Sequence, residues 1–209
     1  MEHKTLTGNP GLVNSDFDQA PDNPLHLLKK WLTIADQLKV SEPRGFVLST
    51  VDIYGKPSSR VVLLKTIDDT GVIFASSETS QKGLDLSKNP IASGTLWWRE
   101  TMQQINFCGV TTKLPTHLTD TIFTERTREA QAVAALSYQS ESMTDEVSLR
   151  LAIAKLVHQS KKIERPETWH GYHIAIETIE FWHGSQDRFH NRLRYDLKDG
   201  AWGHQKLQP

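Results

Sequence analysis

The stretch GFVLSTVDIYGKPSSRVVLLKTIDDTGVIFAS, residues 45–76, decides the fold class of this chain. It contains three short runs rich in β-branched and other apolar residues, which are typical of strands. Turn sequences that end in glycine, at 52–55 and 68–71, separate these runs, and both favour hairpins. The stretch therefore predicts three successive antiparallel strands.

Further strands are predicted downstream of this stretch. Residues 91–98 and 103–114 form a hairpin across 99–102. The tail returns to strands at 171–184 and 188–196, and a turn at 198–200 precedes a last extended segment. A series of hairpins with few helices between them predicts a mainly β fold with α-helices, in which an antiparallel sheet closes into a barrel and the helices pack outside.

Three segments have the spacing of helices. Asn23 and Pro24 supply a cap and a first-turn proline for a helix over 24–40. A short helix opens at Ser80, and residues 116–160 are helical in character with a break around 137–144. We expect one domain over 23–209, preceded by a flexible N-terminal arm over 1–22 that is rich in Gly, Pro, Asn and Asp.

Composition excludes several classes of protein. The 209 residues carry 24 Lys and Arg against 25 Asp and Glu, a net charge of −1, which disfavours a general nucleic-acid binder. No apolar run reaches the ~18 residues of a membrane span, and the first 23 residues lack the apolar core of a secretory signal. Cys108 is the single cysteine, so no internal disulfide can form. These features predict a cytoplasmic protein with neither nucleic acid nor membrane as a partner.

Cations cluster at three places in the sequence. If 188–196 is one strand, its period of two places Arg188, His190, Arg192 and Arg194 on one face. That face is either an anion-binding wall or a solvated surface with acidic neighbours.

The other two places lie earlier in the chain. Arg60 and Lys65 bracket an apolar strand and, five residues apart, are expected to point to opposite faces. Lys82 lies at the N-terminus of the helix that opens at Ser80, where free N–H groups and the helix dipole favour a phosphate. No signature of a metal site occurs, and Cys108 is expected to be a core thiol.

The order of several motifs resembles that of the pyridoxamine 5′-phosphate oxidase family of flavin enzymes. These motifs are RVVLLK at 60–65, SQKGLDLSKNP at 80–90, Gln104, Gln139-Ser140, and FWHGSQDRFHNR at 181–192. The resemblance covers roughly residues 24–209 and implies an FMN-binding split barrel. Within the family, QKG..L..NP.ASG.L.WRE..QQI at 81–105 and RLRYD.....W at 192–202 resemble the branch of flavin oxidases that acts in phenazine biosynthesis.

The resemblance implies a set of cofactor contacts. Arg60 and Lys82 match residues that face the FMN phosphate, and Gln139 and Ser140 match ligands expected from the partner subunit of a homodimer with FMN sites at its interface. The family usually has an arginine where Gln81 stands. The remaining matched positions are Val61, Val62, Leu63, Lys65, Ala75, Ser76, Gln81, Gln104, Trp182 and Arg192.

The substrate pocket departs from the family pattern. Pyridoxamine oxidases hold the substrate phosphate with a lysine, a tyrosine, an arginine and a serine, and the matching residues here are Lys65, Ile122, Arg126 and Ala130. Both cations are kept and both hydroxyls are lost. The arginine and histidine that flank the substrate ring are kept as Arg188 and His190. The resemblance therefore implies substrate binding by Lys65, Arg126, Arg188 and His190.

Together these features predict an FMN-dependent oxidase that converts a partly reduced tricyclic phenazine carboxylate toward the aromatic phenazine. Molecular oxygen is the final acceptor, hydrogen peroxide is released, and no side chain is assigned as a catalytic acid or base. Two alternatives stay open. One is a pyridoxamine/pyridoxine 5′-phosphate oxidase that makes pyridoxal 5′-phosphate, and the other is a split barrel that binds flavin without turnover.

Overall fold

A computed structural model describes residues 7–13 and 17–209. Part of the predicted flexible arm over 1–22, namely residues 1–6 and 14–16, lies outside the described residues. Within the described part, the buried ring of Phe17 stacks on Trp31 with centroids 5.9 Å apart. The Tyr195 hydroxyl donates a hydrogen bond to the Pro21 carbonyl oxygen at 3.0 Å. The chain just before the first helix therefore packs on the body of the protein.

The described residues form one nine-stranded antiparallel sheet, which confirms the predicted mainly β class. The strand order is β2-β1-β5-β6-β7-β4-β3, with β8 paired to β7 and β9 paired to β8. The strands are β1 Gly45–Val51, β2 Pro57–Leu63, β3 Thr66–Ile67, β4 Gly71–Ser77, β5 Ile91–Trp98, β6 Gln103–Lys113, β7 Trp169–His183, β8 Asn191–Lys198 and β9 Ala201–Lys206.

The sheet is not closed, unlike the barrel expected from the series of hairpins, and it has the split form that the family resemblance implies. Strands β2 and β3 lie at opposite ends of the strand order, yet only Leu64 and Lys65 separate them along the chain. The Lys65 amide donates to the Ile73 carbonyl oxygen on β4 at 2.7 Å. The two ends of the sheet therefore meet at a chain crossing and not along a continuous ladder, so the barrel is split.

The sheet divides along β7, because β4 and β8 pair with different parts of this strand. Its first half, up to Ala175, pairs with β4, and its second half, from Thr178, pairs with β8. The register of the β6–β7 pair shifts between Cys108 and Gly109, which marks a bulge. A Cβ atom at Gly109 would lie 1.9 Å from the Ala175 carbonyl oxygen, so this close approach requires glycine. Strands β4 and β8 consequently occupy different lengths of β7.

Five α-helices flank the sheet in the described residues, and the predicted helical segments are confirmed. They are α1 Pro24–Gln37, α2 Gln81–Lys88, α3 Thr116–Thr124, α4 Arg128–Leu136 and α5 Glu146–His158. The break expected around 137–144 separates α4 from α5, and a second break at 125–127 separates α3 from α4. None of these helices is long and apolar enough to cross a membrane.

Two hydrophobic cores hold these elements together. The larger core packs α1, through Leu28 and Trp31, against the inner face of the sheet. The smaller core contains Phe123, Ala132 and Trp169 and joins α3 and α4 to the start of β7. The smaller core positions α4 beside β2 and β4, where many of the predicted site residues lie.

Candidate functional site

The largest group of predicted site residues lines a cleft of about 440 Å³, the β2–β4 cleft. Arg60 and Lys65 both line it. Residues 60–65 alternate between more buried and exposed positions, which agrees with the expectation that Arg60 and Lys65 point to opposite faces. The lining residues are Arg60, Val61, Val62, Leu63, Lys65, Ala75, Ser76, Ser77, Lys82, Arg126, Val133, Ala134, Ser137, Gln139 and Trp169.

Lys82 is a buried cation in this cleft. Its side chain lies on the first turn of α2, and the residue is only 4% exposed. Its ammonium donates to the hydroxyls of Ser76 at 3.0 Å and Ser80 at 3.1 Å, both neutral groups. Burial, with a smaller effect of the Arg60 charge, lowers the pKa of Lys82 to about 8. A buried ammonium held only by hydroxyls favours an anion in the cleft.

Arg60 is the second cation beside it. Its guanidinium donates to Thr50 Oγ1 at 2.7 Å and to the Ser58 hydroxyl. The buried carboxylate of Asp85 lies 4.0 Å from Arg60 Nη2. Burial lowers the pKa of Arg60, and the Asp85 charge opposes that shift. Lys82 and Arg60 together form a positive end of the cleft beside the N-terminus of α2.

Arg126 lies against the apolar wall of the cleft. Its guanidinium carbon is 5.0 Å from the centre of the Trp169 ring, and Nη2 donates to the Ala130 carbonyl oxygen at 3.0 Å. The Nε atom is buried and has no hydrogen-bond partner within the described residues. Burial also lowers the pKa of Arg126. An acceptor on a bound molecule would satisfy this donor.

The two positions that lack hydroxyls, Ile122 and Ala130, lie beside the cleft and do not line it. Ile122 packs against the small core, and Ala130 offers its backbone oxygen to Arg126. Val133 and Ala134 continue the apolar surface along α4. The cleft thus combines cations with an apolar wall.

Gln139 lines the cleft of its own chain, and Ser140 lies beside it at the N-terminus of α2, whereas the resemblance implied that both serve a partner's site. The Ser76 hydroxyl donates to Gln139 Oε1 at 3.3 Å, and the Gln81 amide donates to Ser140 Oγ at 3.2 Å. The connection from α4 to α5 passes over the N-terminus of α2 and so brings both residues there. The Gln81 side chain does not line the cleft, because its amide donates to Asp85 Oδ1 at 2.8 Å.

Three other predicted cofactor contacts form a separate group, here called the outer row. Gln104 pairs with Trp182, and Trp182 pairs with Arg192, across β6, β7 and β8. Trp97 on β5 pairs with Gln104 and extends the row, with its ring 6.0 Å from that of Trp182. The neighbouring side chains Leu96, Ile105, Phe181 and Leu193 point into the core, so the outer row faces away from it.

The cations on and near β8 are arranged differently from the predicted wall. The strand begins at Asn191, so Arg188 and His190 lie in the preceding turn and the expected alternation is wrong for them. Arg192 Nε donates to Glu180 Oε1 at 2.8 Å, and Arg194 pairs with Asp196 at 2.9 Å. These two arginines match the alternative of a surface with acidic neighbours.

The turn before β8 holds a histidine with a defined tautomer. The Asp187 carboxylate accepts hydrogen bonds from the Ser185 hydroxyl at 2.5 Å and the Phe189 amide at 2.9 Å, and Arg188 adopts a φ of +70°. His190 Nδ1 accepts from the Ser185 amide at 3.1 Å, so the ring proton of neutral His190 lies on Nε2. Its ring centre is 4.7 Å from that of Trp182, beside the outer row.

A second cleft of about 600 Å³ adjoins the outer row. It is lined by Phe17, Phe189, His190, Asn191, Arg192, Lys206, Leu207, Gln208 and Pro209. No residue lines both this cleft and the β2–β4 cleft. The predicted site residues therefore form two groups that the fold of one chain keeps apart.

Sequence reasoning missed Asp85 and Trp169. Asp85 is three residues after Lys82, a spacing that places both on one side of α2 and was available as a signal. Trp169 starts β7 after an irregular segment, and no spacing connects it to Arg126. Thr50 and Ser58 were missed as well, because their role depends on the pairing of β1 with β2.

Comparison with known proteins identifies relatives along the whole chain. Two family models match, pyridoxamine 5′-phosphate oxidase over residues 33–160 and the pyridoxine 5′-phosphate oxidase C-terminal dimerisation region over residues 169–209. Dihydrophenazinedicarboxylate synthase from Pseudomonas chlororaphis is 37% identical over 206 residues, which are 99% of this chain and 93% of the relative. Pyridoxine/pyridoxamine 5′-phosphate oxidase from Mannheimia succiniciproducens is 38% identical over 192 residues, 91% of each chain.

Solved structures give the same result. The crystal structure of PhzG from Burkholderia lata 383 in complex with tetrahydrophenazine-1-carboxylic acid has a TM-score of 0.91 and 38% identity, and it covers 94% of this chain and 98% of that chain. A pyridoxamine 5′-phosphate oxidase-related, FMN binding protein from Nostoc punctiforme has a TM-score of 0.74 at 16% identity, covering 89% and 97%. The second match shows a shared fold and no more.

Proposed function

The chain belongs to the pyridoxine/pyridoxamine 5′-phosphate oxidase family, and we propose that it is an FMN-dependent oxidase of phenazine biosynthesis acting on a partly reduced tricyclic phenazine carboxylate. The relatives that share its full length include dihydrophenazinedicarboxylate synthases, and a structural relative binds a tetrahydrophenazine carboxylate. Identity alone does not separate this function from pyridoxal phosphate synthesis, because both groups of relatives are about equally similar. The side chains in and beside the cleft support the phenazine function.

The cations of the β2–β4 cleft fit the phosphate of FMN. Lys82 is buried and Arg60 is half-buried beside the N-terminus of α2, and the FMN phosphate carries nearly two negative charges at neutral pH. Ala75, Ser76 and Gln139 lie along the same wall and would contact the cofactor. When bound, FMN supplies the two-electron acceptor that molecular oxygen regenerates with release of hydrogen peroxide.

A homodimer would complete the site. Val47, Val61 and Trp97 lie on the face of the sheet that also carries the outer row, and they are 40%, 68% and 44% exposed. A second copy that covers this apolar face would place its own outer row against the β2–β4 cleft. The match of residues 169–209 to a dimerisation region supports this arrangement. Each FMN would then contact Arg60 and Lys82 of one subunit and the outer row of the other.

One observation favours the tricyclic carboxylate over a phosphate ester. The cleft keeps the cations of the family's substrate site, while Ile122 and Ala130 stand where that site has hydroxyl donors. A buried phosphate needs most of its oxygens paired, and an unpaired one costs binding energy. A carboxylate needs fewer donors, and a flat ring can use the apolar wall of Val133 and Trp169. The buried Nε of Arg126 offers a free donor for such a carboxylate.

The side chains of the protein bind and orient the substrate in this proposal. Arg126 and Lys65 hold one end of the ring system from the cleft. Arg188 and neutral His190 approach from the partner's turn, with Nε2 of His190 as a hydrogen-bond donor. Closure of the dimer excludes water from the apolar wall, which strengthens these polar contacts.

Steady-state kinetics test the proposal. We expect the holoprotein to oxidise a reduced tricyclic carboxylate and to turn over pyridoxamine 5′-phosphate with a kcat/KM below ~10⁴ M⁻¹s⁻¹. The variant I122Y/A130S should raise kcat/KM for pyridoxamine 5′-phosphate by about 30- to 1,000-fold, since two restored donors contribute roughly 2–4 kcal/mol. The same variant should lower turnover of the tricyclic substrate.

A matched control uses the same residue types at exposed positions of the same two helices. The variant T121Y/E129S should change neither activity by more than about twofold. Efficient turnover of pyridoxamine 5′-phosphate by the unaltered protein would refute the phenazine assignment. An absence of turnover with both substrates, in protein that carries FMN, would support the non-catalytic alternative.

A further inference from the structure

Lys82 and Arg60, the two cations at the positive end of the β2–β4 cleft, each donate to a pair of hydroxyl groups, but only the pair at Arg60 donates onward to a charged residue. We propose that Asp85 is a positioning residue, which orients the hydroxyls of Thr50 and Ser58 so that Arg60 is fixed in place before a phosphate binds. The proposal rests on the proposed function, since it concerns how the FMN phosphate is held. It assigns a role to a buried carboxylate that does not itself line the cleft.

The first observation in support of this role is the direction of the hydrogen bonds between Asp85, Thr50 and Ser58. Thr50 Oγ1 donates to Asp85 Oδ2 at 2.6 Å, and the Ser58 hydroxyl donates to the same oxygen at 3.2 Å. A hydroxyl has one hydrogen, so both hydrogens point to Asp85 and both oxygens remain as acceptors. Arg60 donates to those two oxygens, through Nη1 at 2.7 Å and through Nη2. Asp85 therefore determines which groups anchor the guanidinium.

The second observation is that Asp85 is buried and charged. Its side chain is 3% exposed, and its other oxygen accepts from Gln81 Nε2 at 2.8 Å. Burial acts to raise the pKa of Asp85, but hydrogen bonds from Thr50, Gln81 and Ser58 outweigh it and leave the pKa below its usual value. Asp85 is thus a carboxylate that accepts up to three hydrogen bonds from neutral groups, and the anchor of Arg60 persists at neutral pH.

Lys82 provides the contrast within the same cleft. Its two hydroxyl partners, Ser76 and Ser80, donate their hydrogens to Gln139 Oε1 at 3.3 Å and to the Ser77 carbonyl oxygen at 2.7 Å. The design is the same, but the final acceptors are neutral. A carboxylate beside a phosphate site repels the ligand by Coulomb's law, so Asp85 has an electrostatic cost that the Lys82 network avoids. We infer that the orientation of Arg60 outweighs this cost.

The two effects predict opposite results for D85N, which removes the charge and keeps the shape. If Asp85 acts only through its charge, the variant binds FMN more tightly. If it positions Arg60, the variant binds FMN about tenfold more weakly, the loss of one charge-assisted hydrogen bond. Riboflavin lacks the phosphate, and its dissociation constant should stay within about twofold. Fluorescence titration of the dimeric apoprotein measures both ligands.

A second variant keeps the test independent of the folding of D85N. T50V removes one hydroxyl without changing the size of the side chain. It should weaken FMN binding by a similar factor and leave riboflavin binding unchanged. In the double variant T50V/D85N the two losses should not add, because both act through the same anchor of Arg60. S87A, which removes an exposed hydroxyl elsewhere on α2, is the matched control and should leave both constants unchanged.

The outcomes separate this proposal from the proposed function. FMN bound by D85N as tightly as by the unaltered protein, or more tightly, would overturn the positioning role and leave the flavoprotein assignment intact. Equal weakening of FMN and riboflavin would also overturn it, because the effect would then not pass through the phosphate. Failure of the unaltered protein to bind FMN would instead refute the proposed function.

Discussion

The β2–β4 cleft and the outer row hold their cations in opposite ways. In the cleft, the buried Lys82 and the half-buried Arg60 make their short hydrogen bonds to uncharged oxygens. In the outer row, Arg192 is already paired with Glu180 at 2.8 Å, and its neighbours Trp182 and Trp97 are aromatic. The cleft therefore has positive charge available for an anion, while the outer row offers a flat surface with its charge balanced.

This difference indicates how the two regions divide the work of one site. An anion gains most where cations are desolvated and make their short hydrogen bonds to neutral groups, which describes Lys82 and Arg60 in the cleft. A planar ring gains most from exposed aromatic and apolar surface, which describes the outer row. A dimer that brings the two together would bind a molecule with a phosphate at one end and a ring at the other.

The largest expected effect comes from removing the cations of the cleft. R60A/K82A should lower FMN affinity by about 10²- to 10⁴-fold, since each side chain contributes a charge-assisted bond of roughly 1.5–3 kcal/mol. Absorbance of bound flavin after gel filtration measures the loss, and circular dichroism checks the fold. R192A is the comparison from the outer row. R192A should weaken the binding of FMN and of riboflavin alike, whereas R60A/K82A should weaken only the binding of FMN. Stoichiometric FMN in R60A/K82A would contradict the division between the regions.

A smaller effect is expected from separating the two regions. V47E places a charge in the apolar face between the proposed subunits, and burying it unpaired costs about 3 kcal/mol or more. The dimer dissociation constant should rise ~10²-fold or more, and FMN should no longer raise the melting temperature at low protein concentration. Light scattering across a dilution series measures the assembly.

Tyr54 provides the control for this experiment. It is more exposed than Val47 but lies in the turn between β1 and β2, away from the sheet face, so Y54E should remain dimeric. A V47E monomer that binds FMN with unchanged affinity would show that one chain completes the site alone. That result would contradict a site shared between the cleft of one subunit and the outer row of the other.

The smallest expected effect concerns pH. Because the pKa of Lys82 is lowered to about 8, the ammonium loses its proton as the pH rises above that value. The FMN phosphate binds the protonated form, so FMN affinity should fall by up to about tenfold per pH unit above 8. The folded apoprotein binds fewer protons at Lys82 than the unfolded chain between about pH 8 and 10.5, so this group should stabilise the apoprotein as the pH rises through that window.

Riboflavin is the internal control for the pH dependence. It lacks the phosphate, and its affinity between pH 7 and 9 should stay flat. Isothermal titration in buffers of equal ionic strength measures both ligands. An FMN affinity that does not change over this range would mean that Lys82 does not contact the phosphate.

Much of the β2–β4 cleft could be predicted from the sequence because its residues lie in consecutive local elements. Arg60, Ala75 and Lys82 belong to β2, β4 and α2, which all lie within residues 57–88, and alternation and capping patterns indicate each element. Trp169 lies far from them in the chain, and only the packing of the small core brings it under Arg126.

Local conformations such as the hairpins and the cap at Ser80 followed from the sequence alone. The order of the motifs in the sequence also indicated the family. Tertiary structure decided the rest, namely that β7 pairs with β4 and β8 over different halves, that Gln139 turns onto its own chain's cleft, and that Asp85 anchors Arg60 through two hydroxyls. The physical reason is range. Backbone preference and hydrophobic period act over a few residues, whereas hydrogen bonds between distant elements depend on register, bulges and packing, which no local pattern encodes.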